Sequence, residues 1–438
     1  MPLLIRLQPA RHLLTLRSVK EGLESTMRLS RLCVALAASL AASCAFAITS
    51  DEVNAGIQFN FANPGARALG MGGAFLGLAD DATAAYTNPA GLSILGASEV
   101  ALEYRHTDFT TPFSSGGSFR TAPFDGSNLG RAEAESSTDS LAFFSYTYAG
   151  DGWALAAFRH QPLAFDLSYV QSPIAVQNAA GAQIASLPTK FTSLSADLVN
   201  YGISGAYRFS DGFSLGIGVV YSQFELDSST VREGRNLQLQ SGDDSDVTFT
   251  LGALWKVNER WSLGAAYRRG GSFEYRAGNF DAQGNPFTVL DTGFDVPHVF
   301  GVGISFRPSD NFAVGLDINR VEYSRLTDSY DDIFNAATVI KSTDGTEIRL
   351  GGEYVFTQFA NPFSLRAGVW REPEHALFAT GPVGDVNVDV DRALFRPGDD
   401  ELHYTLGLGW AFPRFQFDLA ADFSDNVNNY SASGVVRF

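Results

Sequence analysis

Cysteine is almost missing from this chain. Of 438 residues only Cys33 and Cys44 are cysteines, so nothing from residue 45 onward can form a disulfide, a thiolate metal site or a cysteine nucleophile. Histidine is equally sparse: after His12 there remain His106, His160, His298, His375 and His403, with neither metal-ligand spacing nor a serine elbow nearby. No catalytic residue, metal or cofactor is therefore assigned, and a Ser-His pair assembled from distant segments is the one enzymatic option left open. Basic charge is short as well. The first 47 residues hold six of the 31 Lys/Arg and two of the 48 Asp/Glu, which leaves 25 basic and 46 acidic side chains and a net charge of −21. Nucleic acid and free anionic surfaces are excluded as partners on that balance. No stretch after residue 47 is apolar for long enough to be a membrane helix.

What is present begins with an export signal. Met27-Arg28-Leu29-Ser30-Arg31 is a short basic stretch, Leu32 to Ala42 is apolar but too short to span a bilayer, and Ala45-Phe46-Ala47 has the small-x-small form of a signal-peptidase site. Residues 1–47 are read as removed, with the first 26 reflecting an upstream start codon, since a second Met sits directly before the basic stretch. The alternative is a lipidated Cys44, although Ala41-Ala42-Ser43-Cys44 lacks the Leu expected three residues earlier.

The remainder is rich in Phe (35) and Gly (43), and it alternates. Over 212–224 Phe213, Leu215, Ile217, Val219 and Tyr221 share one parity, with Ser214, Gly216, Gly218 and Ser222 on the other; over 414–424 Phe415, Phe417, Leu419, Ala421 and Phe423 alternate with Gln416, Asp418 and Asp422. One face suits lipid and the other water. Similar runs near 98–110, 139–149, 152–170, 194–209, 246–257, 260–277, 296–307, 311–326, 346–357, 362–372, 401–412 and 429–438 bring the expectation to about fourteen strands, the even number a bacterial single-chain barrel requires. The fold class expected is all-β, a transmembrane antiparallel barrel over 98–438, with residues 48–97 as a separate plug in its lumen.

Connections sort by length. Short turns at Gly150-Asp151-Gly152, Ser210-Asp211-Gly212, Asn258-Glu259-Arg260, Pro308-Ser309-Asp310 and Pro413-Arg414 alternate with long loops through 111–137, 171–192, 228–244, 278–293, 327–344 and 373–399. Short turns belong on the periplasmic side. Trp153, Trp255, Trp261, Trp370 and Trp410 fall near strand ends, where an aromatic girdle would put them. The last run keeps its two-residue period through Tyr430, Ala432, Gly434, Val436 and Phe438, and this aromatic end resembles the assembly signal of outer-membrane barrels.

Ahead of the barrel, Asn63-Pro64-Gly65-Ala66-Arg67-Ala68-Leu69-Gly70-Met71-Gly72-Gly73-Ala74-Phe75 leads into Ala79-Asp80-Asp81-Ala82-Thr83-Ala84-Ala85-Tyr86-Thr87-Asn88-Pro89-Ala90-Gly91-Leu92. This resembles the N-terminal hatch of the FadL/TodX family of outer-membrane transporters for long-chain fatty acids and aromatic hydrocarbons. Val296-Pro297, Gly301 to Asp317, Ile348 to Tyr354 and Leu406 to Trp410 resemble the family's C-terminal half. The resemblance implies passive uptake of a hydrophobic molecule through the bacterial outer membrane by a monomer, with outer-membrane lipid, lipopolysaccharide and the barrel-assembly machinery as further partners. It also implies a kinked third strand that opens the wall sideways. Related type IX secretion barrels, which do not transport, share the Gly-rich start and supply a scaffold alternative.

The residues give physical reasons for these parts. Gly70, Gly72 and Gly73 permit close backbone approach in a compact plug. Asp80 or Asp81 is expected to cap a helix over Ala82 to Tyr86 that Pro89, before Ala90, terminates, and the Asn88 amide is expected to satisfy unpaired backbone. Phe59, Phe61, Phe75 and Leu76 are the candidate ligand contacts. Pro162 interrupts the third strand, where its missing N–H breaks the ladder; the alternative is that the membrane part already ends by Gln161. Arg159 and His160 are expected at that rim, facing water or lipopolysaccharide, with contact to a ligand carboxylate as the alternative. Acid groups at Asp243, Asp244 and Asp246; Asp331 and Asp332; Asp385, Asp389 and Asp391; and Asp399, Asp400 and Glu401 are read as solvated loop surface, with a divalent cation as the alternative.

Overall fold

The computed structural model describes residues 63–232, 236–281, 283–328 and 337–438. Residues 1–47, read above as an export signal, and Phe59, Phe61, Asp331 and Asp332 lie outside the described residues. Alternation becomes strand throughout: β1 (Glu99–Arg120), β2 (Leu129–Ala149), β3 (Trp153–Gln171), β4 (Lys190–Arg208), β5 (Phe213–Arg232), β6 (Asn236–Lys256), β7 in two pieces (Trp261–Arg268 and Ser272–Asp281), β8 in two pieces (Pro286–Asp295 and Val299–Ser309), β9 (Phe312–Val321), β10 (Gly345–Phe356), β11 (Phe363–Glu372), β12 (Glu401–Ala411), β13 (Phe415–Phe423) and β14 (Val427–Arg437). Each pairs antiparallel with its neighbour, and β14 returns to β1 from Glu99↔Arg437 to Phe109↔Val427. The result is a closed fourteen-stranded barrel with no free sheet edge.

Its polarity is inside-out. Leu215, Ile217 and Val219 are 42%, 56% and 54% exposed on the outer face, whereas the intervening Ser214 is buried, as are Ser145, Thr147, Asp317, Arg349 and Thr405. A soluble domain hides the first set and shows the second, so this surface is matched to hydrocarbon. Trp153, Trp255 and Trp261 lie on the outer face beside the short turns. Trp370 does not join them: its parity turns it inward, where it stacks on His403 at 3.8 Å under the Arg349 guanidinium.

The long connections depart from expectation. Residues 111–137, 228–244 and 278–293 are largely arms of β-hairpins that continue the ladders beyond the apolar band. Pairing satisfies their backbone better than an irregular loop would, and polar residues on both faces disguised them in the sequence. Residues 171–192 carry a small hairpin of Ile174–Gln177 and Gln183–Leu187, and 373–399 contain a helix, Val386–Leu394, capped by the Asp385 carboxylate. That helix sits in the mouth of the barrel, where Val390, Ala393, Leu394 and Phe395 join an apolar cluster with Phe109, Phe165, Phe224 and Phe273.

Candidate functional site

Residues 63–97 pack against the inner wall. Two short helices, α1 (Ala66–Gly70) and α2 (Ala84–Thr87), and a 3-10 turn (Pro89–Ile94) hold the segment together. Gly72 and Gly73 adopt φ of +64° and +75°, a left-handed turn closed to larger residues. The wall answers with glycines of its own. A Cβ on Gly70 would fall 2.9 Å from the Gly407 Cα, and Gly216, Gly252, Gly264 and Gly351 leave room in the same way for Pro89, Asn88, Leu76 and Met71. These wall glycines were missed as contact residues, although their inward parity in the sequence was the available signal.

Polar inner side chains pin the segment. The Asp317 carboxylate accepts the backbone N–H of Phe75 and of Leu76, at 2.7 and 2.8 Å, and Glu103 accepts that of Gly65 at 2.7 Å. Thr405 accepts from Gly72 N and donates to the Gly70 carbonyl. Arg67 bridges Asp80 at 2.6 Å and Glu353 at 2.8 Å. The Asn88 amide donates to the carbonyls of Leu76 and Ala253 and accepts from Ala90 N. Asp80 and Asp81 do not cap α2, whose N-cap Thr83 makes no capping bond of its own, its hydroxyl donating to Asp81 Oδ1 at 2.5 Å. Asp81 instead accepts the Thr83 N–H at 3.0 Å, and Asp80 is held by Arg67 and Arg307, because two arginines offer more to a carboxylate than one exposed helix amide.

A cavity lies between this segment and the arc of wall from β3 to β8. Tyr86, Pro162, Asn200, Thr250, Arg268 and Phe273 are among the groups that border it, and it is partly continuous with solvent. Phe75 and Leu76 do not reach it. Phe75 is buried among Ala68, Met71, Leu78 and Ala313 beneath the Arg67 guanidinium, and Leu76 packs onto Gly301 and Gly303. Tyr86, which the sequence did not single out, is the aromatic ring of the segment that faces the space. It lies between His160, 4.1 Å away, and Arg268, 5.0 Å away. Arg268 brings a buried charge to the cavity: among the described residues it donates to Asn63 Oδ1 at 3.3 Å and lies over the Tyr86 face, no carboxylate is within ion-pair distance, and buried Asp317 and Glu347 feel its field from further off.

Pro162 marks a discontinuity of the wall. The β3–β4 register slips between His160 and Leu163, and side-chain parity inverts across the bulge, from Leu155 and Ala157 outward to Leu163 and Phe165 inward. The β2–β3 ladder runs only from Ala149↔Ala154 to Phe143↔His160. Past it the strands separate, with Thr138 Oγ1 reaching the Ala164 carbonyl at 3.1 Å. Arg159 faces outward and donates to the stranded Leu141 carbonyl and to Gln161 Oε1. His160 is not at a watery rim: it is buried on the inner face, its Nδ1 without a partner, because the parity before the bulge turns it toward Tyr86.

Asp243 and Asp399 are exposed, as expected of solvated loop surface, whereas the other described acid groups are engaged within the protein. Asp244 and Asp246 accept the backbone N–H of Glu274 and Ser272, Asp389 pairs with Arg392, Asp391 accepts from Thr338, Asp400 binds Arg371, and Glu401 accepts from Ser424 and Asn426. Among the described residues no group of three His, Cys, Asp or Glu is arranged to hold a metal ion. A His-carboxylate cluster that the sequence did not reveal lies in the upper lumen, where His403 Nε2 meets Glu372 and Nδ1 meets Asp422, at 3.0 and 3.1 Å.

Comparison with known proteins gives one family over most of the chain. Residues 45–426 match the family described as outer membrane protein transport protein (OMPP1/FadL/TodX). No curated protein matches. Among solved structures, a Pseudomonas aeruginosa FadL homologue superposes with a TM-score of 0.63 at 15% identity, covering 87% of this chain and 99% of its own. The Pseudomonas putida toluene transporter TodX gives 0.58 at 16% identity, with 87% and 99% covered, and the Ralstonia pickettii toluene transporter TbuX 0.56 at 16%, with 86% and 99%. At such identities the likeness is one of fold.

Proposed function

Because the chain belongs to the OMPP1/FadL/TodX family of outer-membrane transport proteins, we propose that it is a monomeric, passive channel for an apolar small molecule, with residues 63–97 acting as its hatch. The hairpins and the apolar mouth cluster capture the molecule, the cavity beside Tyr86 holds it, and the unpaired interval between β2 and β3 releases it sideways into the membrane. No energy source is needed, since transfer from water to an apolar wall and then to lipid is downhill throughout.

The observation that carries this reading is the meeting of the cavity and the wall discontinuity at one residue, Pro162. Arg268 refines the ligand. A buried guanidinium that no carboxylate touches directly, with Asp317 and Glu347 acting on it only from a distance, still has donors to offer, so an apolar chain ending in a carboxylate fits better than a bare hydrocarbon. A non-transporting scaffold would need neither feature.

The test compares uptake of labelled oleate and of a labelled alkane by cells carrying wild type or Pro162→Val with equilibrium binding to the detergent-purified protein. The valine restores a ladder donor, so uptake should slow while binding persists. Wild-type uptake of the Pro162→Val protein would remove the β3 exit and point to release through a displaced hatch. A mass spectrum of lipid extracted from the purified protein would identify the occupant.

A further inference from the structure

The wall breaks a second time, at the other end of the cavity. β7 is interrupted at Arg269-Gly270-Gly271 and its neighbour β8 at Val296-Pro297-His298. Inward parity inverts across both: Gly264, Ala266 and Arg268 face in below the first break and Phe273, Tyr275 and Ala277 above it, while Phe294 gives way to Val299 and Gly301 across the second. The interruptions lie side by side, linked by Val296 N to Gly271 O at 2.9 Å and by Gly270 N to His298 Nδ1 at 3.0 Å.

Their effect falls on the ladder to β6. Regular β6–β7 pairing runs from Lys256↔Ser262 to Thr250↔Arg268 and resumes only at Ser241↔Arg276. Over the interval, Arg269 N reaches the Phe249 carbonyl at 3.1 Å, and side chains stand in for the remaining ladder bonds. Asp246 Oδ2 accepts from Ser272 N at 3.2 Å, Asp244 Oδ2 from Glu274 N at 2.7 Å, and the Arg269 guanidinium donates to the Val247 carbonyl at 3.2 Å. Both strands carry outward apolar groups right up to the interval, with Val247 56% exposed and Phe249 against Tyr267. Within the lumen, Thr248, Arg269, Gly270, Gly271 and Pro297 border the same cavity that Pro162 borders from the opposite side.

We propose that this β6–β7 seam is a second lateral port, through which an apolar ligand in the cavity exchanges with membrane lipid independently of the β3 discontinuity. A side-chain-bridged seam opens by rotating two aspartates and one arginine, whereas a regular ladder opens only by stripping consecutive backbone bonds with no water to replace them. The glycine pair adds no side chain to obstruct the passage. The proposal rests on the transport reading above.

The absence of cysteine after residue 44 makes the test clean. A Cβ on Gly271 would lie 3.5 Å from the Asp246 Cβ, within the span of a disulfide, so Asp246→Cys with Gly271→Cys staples the seam reversibly. Uptake of labelled oleate is measured in cells carrying this double variant, oxidised and then reduced, against cells lacking the protein. The expected result is at least a threefold slower uptake on oxidation, restored by reductant, with oleate binding to the purified protein unchanged. Asp246→Ala, which forms no staple, should speed uptake by removing one of the three side-chain bridges. Equal rates in the oxidised and reduced states, or an Asp246→Ala rate equal to wild type, would overturn the port while wild-type uptake leaves the transport function standing. Wild-type uptake no greater than that of cells lacking the protein would remove both.

Discussion

Asp317 and Phe75 are joined by a carboxylate that accepts the Phe75 amide at 2.7 Å and, with the same oxygen, that of Leu76 at 2.8 Å. A wall residue thus fixes the turn of the N-terminal segment through its backbone, independently of which side chains that turn carries. Replacing Asp317 by Ala would leave two buried N–H groups unpaired, each costing about 1–3 kcal/mol. The expected outcome is faster proteolysis and amide exchange over residues 63–97 in an otherwise intact barrel. Asn, which keeps one acceptor oxygen, should show a smaller effect. Protection equal to wild type in the alanine variant would show that the wall glycines alone retain the segment.

Tyr86 presents its ring to the cavity between His160 and Arg268. Truncation to Ala removes apolar surface worth on the order of 1.5–3 kcal/mol when fully buried against a ligand. Oleate binding to the purified protein should weaken by about tenfold or more, while Phe75→Ala, whose ring meets the segment and not the cavity, should act mainly on stability. Calorimetry with both variants separates the two; the reverse ranking would place the ligand beside Phe75.

Arg268 should discriminate among ligands by charge. Arg268→Met keeps the length and apolar stem of the side chain but removes the cation, so oleate should bind less tightly while a neutral alkane of equal length binds about as before. Equal losses for both would mean that the guanidinium shapes the cavity without reading a head group.

Gly407 faces Gly70 with 3.0 Å between a built Cβ and the Gly70 Cα. Gly407→Leu cannot coexist with the seated segment. Outer-membrane fractions should contain markedly less heat-modifiable, folded protein, whereas Leu at Gly205, whose parity points outward, should be tolerated.

Phe438 is more than half exposed, donates its backbone N–H to the Ser98 carbonyl at 3.0 Å and lies 6.0 Å from the Tyr146 ring. A chain ending at Arg437 should insert less efficiently, seen as protease-sensitive material accumulating in the periplasm. Unchanged insertion would assign the assembly signal to the strand rather than its last ring.

The fourteen strands were legible because lipid and water impose a period of two on each of them. The site was legible in outline only. Asn88 and Pro162 announced themselves by chemistry that few other positions tolerate, an amide amid glycines and a proline in a ladder. Tyr86 did not, because whether one aromatic ring faces a cavity or a wall depends on a neighbour, Arg268, 182 positions away. Asp244 and Asp246 misled for the same reason. Two carboxylates in a polar run look solvated, and only the interruption of β7 opposite them supplies the amides they accept.

The glycines that line the wall at Gly216, Gly252, Gly264, Gly351 and Gly407 bear on the bore of the barrel. They come from β5, β6, β7, β10 and β12, so the segment they cradle touches strands most of the way around the circumference. Residues 63–97 therefore act as a gauge of the cylinder: a wall closed with one strand pair more or fewer would no longer meet the segment at all five glycines.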